Sequence, residues 1–252
     1  MSINIAESIL KEGCLNQKDI AERFANSYRW RRGYGPSTAK LLKRIRRGQT
    51  WEEASKSVYP SGSYGNGAAM RAPVLALFFP NDVKALIHAT QRTAEITHAH
   101  PLGIEGAILI SLATRELLHK NTPKQVFSSL KQHCQAPEFI DKLNLAQFFL
   151  KESKNITPQE MKRTLGNGIT ATTSCVSAFY LSLRFLNEDM TQIIQFAKSC
   201  GGDVDTICAM AGALWGAYNG SNNLPEIQTE SKDYICYVAA KIFNLLYTKS
   251  LI

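Results

Sequence analysis

Thr122-Pro123-Lys124-Gln125 carries the chemistry of a helix start. The threonine oxygen at the cap position can accept the amide three residues on, while the glutamine side chain reaches back to the cap amide. Proline at the first helical position loses nothing through its missing N–H. The same arrangement recurs at Thr157-Pro158-Gln159-Glu160, and without the proline at Thr50-Trp51-Glu52-Glu53. Outward from these starts the apolar residues keep helical spacing. Ala39, Leu42 and Ile45 share one face of a basic segment opened by Pro36 and closed near Gly48, and Val83, Leu86, Ile87 and Thr90 share another behind Asp82. Ile104, Ala107, Ile108 and Leu112 follow Pro101, and the pattern continues through Cys175–Leu186, Ile193–Ala197, Ile207–Tyr218 and Tyr234–Tyr247. No alternating run bounded by hairpin turns interrupts it. The expected fold is all-α. With no linker, fixed-period repeat or break in composition, residues 1–252 read as one domain.

Bulk properties narrow the function classes. An apolar share of 44% is enough for a core, yet no stretch approaches the roughly 20 uncharged apolar residues of a membrane span. Met1-Ser2-Ile3-Asn4-Ile5-Ala6-Glu7 has no basic region and an early acid, so a secretory signal is not expected. A soluble, intracellular protein, monomeric and without a membrane partner, is the expectation. The six cysteines (Cys14, Cys134, Cys175, Cys200, Cys208, Cys236) have no Cys-x-x-Cys pair and are expected as reduced, mostly packed thiols. The net charge is +8, and Arg29, Arg31, Arg32, Lys40, Lys43, Arg44, Arg46 and Arg47 fall in one window. Such a cluster can attract phosphates. A solvated helix face is preferred, because no nucleic-acid motif accompanies the cluster and no specific nucleic-acid partner is expected.

Three constellations could carry chemistry. Gly201-Gly202-Asp203-Val204-Asp205-Thr206 puts two carboxylates and a hydroxyl after a glycine turn, an oxygen-rich set suited to a hard cation such as Mg²⁺. An aspartate capping the helix that follows is the ordinary alternative. That helix is rich in alanine and glycine, and close approach to its neighbours is expected. Gly62-Ser63-Tyr64-Gly65-Asn66-Gly67 suits a loop whose amides approach a phosphate or ribose, although a tight surface turn explains it equally well. It lacks both the βαβ context of a dinucleotide fingerprint and the Gly-Lys-Ser/Thr of a P-loop. Thr97-His98-Ala99-His100-Pro101 joins two helices, where a histidine interacting with the preceding helix C-terminus is the plain reading and an i, i+2 zinc pair is not.

Taken in order, the glycine loop running into Met70-Arg71, the Thr97-His98 pair, Leu165-Gly166-Asn167-Gly168, and Gly201-Gly202-Asp203-Val204-Asp205-Thr206 before a small-residue helix resemble the ADP-ribosylglycohydrolase family. The glycine loop is most similar to the ADP-ribosyl-acceptor hydrolase 3 branch. The likeness extends to Asn223-Leu224-Pro225. It implies a single orthogonal bundle of α-helices around a cleft with two Mg²⁺ ions, with Asp203, Asp205 and Thr206 as metal ligands. It further implies that Ser61, Gly62, Ser63, Tyr64, Gly65, Asn66 and Gly67 line the ADP-ribose site, and that His98 and Leu165 touch substrate. The implied reaction is Mg²⁺-dependent hydrolysis of ADP-ribose from modified proteins or from poly(ADP-ribose). Family members also carry a Thr-Asp-Asp-Thr metal motif before the helix that here begins near Met1, and a catalytic glutamate upstream of it. Neither has a counterpart in this sequence, and Thr173 stands where an acid is expected. The expectation is therefore an N-terminally truncated form of the fold with no assigned catalytic residue. Its alternative function is a catalytically impaired ADP-ribose-binding module.

Overall fold

Each of the three cap sequences starts a helix in the computed structural model, with both reciprocal hydrogen bonds of the box formed. At Thr122 the hydroxyl accepts the Gln125 amide at 3.4 Å while Gln125 Oε1 accepts the Thr122 amide at 2.9 Å. The chain folds as α1 (Ser2–Glu12), α2 (Gln17–Ser27), α3 (Pro36–Arg46), α4 (Trp51–Val58), α5 (Gly67–Arg71), α6 (Pro73–Phe78), α7 (Val83–Glu95) and α8 (Pro101–Leu118). It continues as α9 (Pro123–His133), α10 (Pro137–Lys151), α11 (Pro158–Thr164), α12 (Ala171–Arg184), α13 (Met190–Cys200), α14 (Val204–Asn219) and α15 (Lys232–Thr248). The structure describes residues 1–152, 156–221, 224 and 229–248, so Asn223 and Pro225 lie outside the described residues. Among the described residues there is no strand. An isolated antiparallel bridge joins Gly65 to Thr170.

The bundle is built around α8, which packs against α5, α6, α7, α9, α12 and α14. Its sequence explains why so many elements reach it. Leu112, Ala113 and Leu117 are fully buried, each large side chain contributing on the order of 1.5–3 kcal/mol by leaving water. Gly106 faces α12 so closely that a Cβ there would lie 2.8 Å from the Ala171 Cβ. Gly103 faces the glycine loop, where a Cβ would lie 2.7 Å from the Ser63 carbonyl oxygen. The loop therefore rests directly on the first turn of α8.

The expectation for α14 needs correcting in detail. It packs against α5, α8, α12 and α13 as a central helix should. Its glycines, however, do not make the close approach: Gly216 faces open space and Gly212 meets Met190 Sδ at an ordinary 3.6 Å. The inward face is Ile207, Met210, Ala211, Leu214 and Trp215, all buried.

The basic window has partly structural duties. Arg46 donates to the Ala25 carbonyl at 2.6 Å and also reaches the carbonyls of Asn26 and Tyr28, which ties α3 to the end of α2. Arg32 pairs with Glu230, while Arg31, Lys40 and Arg47 are exposed. All six cysteines are free. Cys134, Cys175 and Cys200 are buried, as expected of packed thiols, whereas Cys14 and Cys236 are exposed. No helix among the described residues is long and apolar enough to cross a membrane.

Candidate active site

Asp203 reaches its place through a turn that only glycine tolerates. Gly201 and Gly202 both have positive φ, 66° and 77°. A Cβ on Gly202 would fall 2.1 Å from the Asn167 carbonyl oxygen, so the missing side chain lets the two backbones touch. The Asn167 carbonyl then accepts the Asp203 amide at 2.8 Å, and Asn167 Nδ2 donates to the Cys200 carbonyl at 2.9 Å.

Asp203 occupies the cap position of α14 but forms no side-chain cap bond. Its Oδ2 instead accepts Asn66 Nδ2 at 2.7 Å. The simple capping explanation is thereby set aside: the carboxylate is turned towards the glycine loop. Burial, more than any other cause, raises the Asp203 carboxyl above the usual range. Hydrogen bonds from Asn66 and Thr206 oppose the rise, and the neighbouring Asp205 adds to it.

The glycine loop is fastened from two sides. Gly62, at φ 79°, lies so close to the next segment that a Cβ would overlap the His100 nitrogen at 2.2 Å. The Asn66 amide donates to the Ile169 carbonyl at 3.0 Å, and the Ala171 amide donates to the Tyr64 carbonyl at 2.9 Å. Asn66 is 7% exposed, and its Nδ2 also donates to Ser174 Oγ at 3.0 Å. Ser63 Oγ accepts the Gly65 amide at 3.3 Å, which rounds the loop into a hydroxyl-supported turn. Ser61 is exposed. Tyr64 is half-exposed and meets the His100 ring edge-on at 5.4 Å, leaving an aromatic surface open to solvent.

The two histidines part ways. His100 accepts the Leu102 amide on Nδ1 at 3.2 Å and so caps the N-terminus of α8, not the end of α7. His98 is buried against the glycines: a Cβ on Gly67 would lie 2.8–2.9 Å from its ring. Its Nδ1 lies 2.7 Å from Thr97 Oγ1, which in turn accepts Arg71 Nη2 at 2.7 Å. A guanidinium only donates, so Thr97 Oγ1 accepts from Arg71 and shares its second contact with His98 Nδ1. Burial foremost, then the Arg71 charge, pushes the His98 pKa down to about 3, keeping the ring neutral.

Leu165 was also expected to touch substrate. Its side chain is fully buried, and its carbonyl accepts Lys142 Nζ at 2.7 Å. It closes α11 against the core and offers solvent no surface. Sequence reading also passed over Ser174 and Lys142. Ser174 stood in the hydroxyl run Thr170–Ser174, a visible signal. Lys142 had none, being one more lysine on an amphipathic helix.

Asp203, Asp205 and Thr206 supply two carboxylates and a hydroxyl at one turn, with one carboxyl already burdened by burial and like charge. A divalent cation would relieve both, so the donors suit Mg²⁺ held from one side with water or ligand oxygens completing its shell. Among the described residues no group of three or more His, Cys, Asp or Glu side chains converges as a metal site. An apolar groove lined by Ile9, Leu15, Phe78 and Leu246, among others, shares no residue with this site.

Three kinds of likeness converge on this arrangement. A family model described as ADP-ribosylglycohydrolase matches residues 1–250. The chain is 32% identical to "ADP-ribosylhydrolase ARH3" of Gallus gallus over 89% of its own length and 70% of that protein. It is 30% identical to the Homo sapiens protein of the same name, over 92% of this chain and 72% of the relative. It is 25% identical to "ADP-ribosyl-[dinitrogen reductase] glycohydrolase" of Rhodospirillum rubrum, over 89% of this chain and 69% of the relative. A solved structure titled "ADP-ribosylglycohydrolase-related protein complex" superposes with a TM-score of 0.74 at 23% identity, covering 96% of this chain and 78% of that one, and supports the shared fold. With the match running nearly end to end and the glycine loop and Asn167 both meeting the acidic turn at Asp203, the chain belongs to the ADP-ribosylglycohydrolase family.

Proposed function

We propose that the protein is a Mg²⁺-assisted hydrolase that releases ADP-ribose from modified proteins or from poly(ADP-ribose). The observation that carries this reading is the 2.7 Å contact between Asn66 and Asp203. It joins the loop suited to a phosphate or ribose to the turn suited to a cation, although the two are 137 residues apart in sequence. In this reading the amides of Ser63, Tyr64 and Gly67 and the exposed Ser61 hydroxyl meet the diphosphate, and the open face of Tyr64 receives the adenine ring by stacking. Neutral His98, with Nε2 turned to Gly65 and Gly67, offers the ligand a hydrogen-bonding edge without adding charge beside Arg71. Asp203, Asp205 and Thr206 would hold Mg²⁺. When bound, the ion supplies positive charge at the ribose hydroxyls and at a water, where the oxocarbenium-like transition state needs it. Asn66, by binding Asp203, orients one of the ion's carboxylates.

The test is release of ADP-ribose from an automodified protein in Mg²⁺ and in EDTA. Release that needs Mg²⁺ and disappears in Asp203→Asn is expected; absence of release in both buffers rejects hydrolysis by this chain. The second reading, an ADP-ribose-binding module without catalysis, is favoured because no group of three or more His, Cys, Asp or Glu side chains among the described residues converges to hold a metal. Calorimetry with ADP-ribose separates the two, since measurable affinity without any release leaves binding alone.

A further inference from the structure

Two ends of one segment are drawn to a single ammonium group. Lys142, on α10, donates from Nζ to the Leu165 carbonyl at 2.7 Å and to the Thr172 carbonyl at 2.6 Å. Between those carbonyls the chain is committed to the candidate site. The Asn167 carbonyl takes the Asp203 amide, the Ile169 carbonyl takes the Asn66 amide, and the Ala171 amide reaches the Tyr64 carbonyl. Residues 165–172 are therefore the spacer between the glycine loop and the acidic turn. Their span sets the distance at which Asn66 meets Asp203.

Leu165 closes α11, so its carbonyl lies past the helix ladder, while Thr172 lies in the first turn of α12. A half-buried ammonium with three donors reaches both carbonyls at once. Burial lowers the Lys142 pKa, and the same poor solvation makes each charge-assisted bond worth more than it would be in water. We propose that Lys142 is a positioning residue: by clamping both ends of residues 165–172 it holds Asn66 and Asp203 in the register that ADP-ribose binding needs. The inference rests on the reading of the site as an ADP-ribose site.

The experiment compares wild type with Lys142→Met, which keeps length and removes the donors, and Lys142→Arg, which keeps a cation. Two quantities are read well below Tm: affinity for ADP-ribose in Mg²⁺ by calorimetry, and hydrogen exchange at the amides of Asn66, Ala171 and Asp203, with Leu112 in α8 as the reference. The Met variant is expected to bind about tenfold or more weakly, and the three amides that join the spacer to the site to exchange at least about tenfold faster while Leu112 is unchanged; the Arg variant is expected within about threefold of wild type. Unaltered affinity in a folded Met variant overturns the proposal, as does faster exchange at Leu112 in step with those three amides, which would mark general loosening. Should Lys142→Met fail to fold, Lys142→Gln, with one donor left, is read in the same two ways. A wild type that binds no ADP-ribose in either Mg²⁺ or EDTA overturns the site reading instead, and exchange then judges the clamp alone.

Discussion

Asn66 does two jobs with one amide group. Its Nδ2 satisfies Ser174 and Asp203 together, and the residue is buried, so truncation leaves a half-buried carboxylate short of a donor. Asn66→Ala is expected to weaken ADP-ribose binding about tenfold or more and to cost on the order of 1–3 kcal/mol of stability, read by calorimetry and by urea unfolding. Retained affinity would remove the residue from the site. His98 makes a different prediction. Its folded-state pKa is depressed to about 3 from the ordinary 6.5 of a histidine, so between those values the unfolded chain takes up a proton that the folded one refuses. The stability due to neutral His98 is complete above about pH 6.5 and is lost as pH falls towards 3, with a slope of up to about 1.4 kcal/mol per pH unit. Urea midpoints collected from pH 7 to pH 4 should fall less steeply in His98→Gln than in wild type; parallel curves would contradict the buried neutral ring.

At the scale of elements, starts were legible and close contacts were not. The three capping boxes form as the sequence indicated, because cap, proline and N3 side chain act within four residues. Thr157→Ala should destabilise by about 1 kcal/mol, seen as a lower urea midpoint at an unchanged m-value. Glycines were harder to interpret. Those of α14 looked like contact points and face Met190 or open space, while Gly103 and Gly106 of α8 went unremarked and sit against Ser63 and Ala171. A helical glycine is the same residue on either face, and only the neighbouring element decides whether its missing Cβ is used. Gly202 was readable as a turn but not as the point where two backbones meet. Gly202→Ala combines a positive φ with backbone overlap against Asn167, and its effect should concentrate at the site. A far-ultraviolet spectrum like that of wild type, with ADP-ribose binding abolished, is the expected pair of results; normal binding would mean that the turn relaxes freely.

For the molecule as a whole, the proposed Mg²⁺ site predicts that ligand and stability are coupled at the acidic turn. Asp203 carries a raised pKa, from burial first and Asp205 in part. Asp205→Asn should therefore leave the metal-free protein at least as stable as wild type. In wild type, Mg²⁺ at 100 times its dissociation constant should add about 2.7 kcal/mol, a gain that the variant loses. Thermal scans in EDTA and in graded Mg²⁺ check both halves. A wild-type Tm indifferent to Mg²⁺ would take the ion out of the account.

What the sequence determined by itself is local: helix starts from cap chemistry, buried faces from apolar period, and a site's ingredients from residue types close together in the chain. These follow from interactions that span only a few residues. What the tertiary structure decided is which ingredients meet. It brought Asn66 to Asp203, and it hid Leu165, expected at the substrate, inside the core. It split His98 from His100, assigning one ring to the glycine loop and the other to a helix cap, and it put Lys142 of α10 to work on the segment beyond α11. The physical reason is that a side chain's surroundings in a bundle come from helices remote in sequence, and those depend on how whole faces pack.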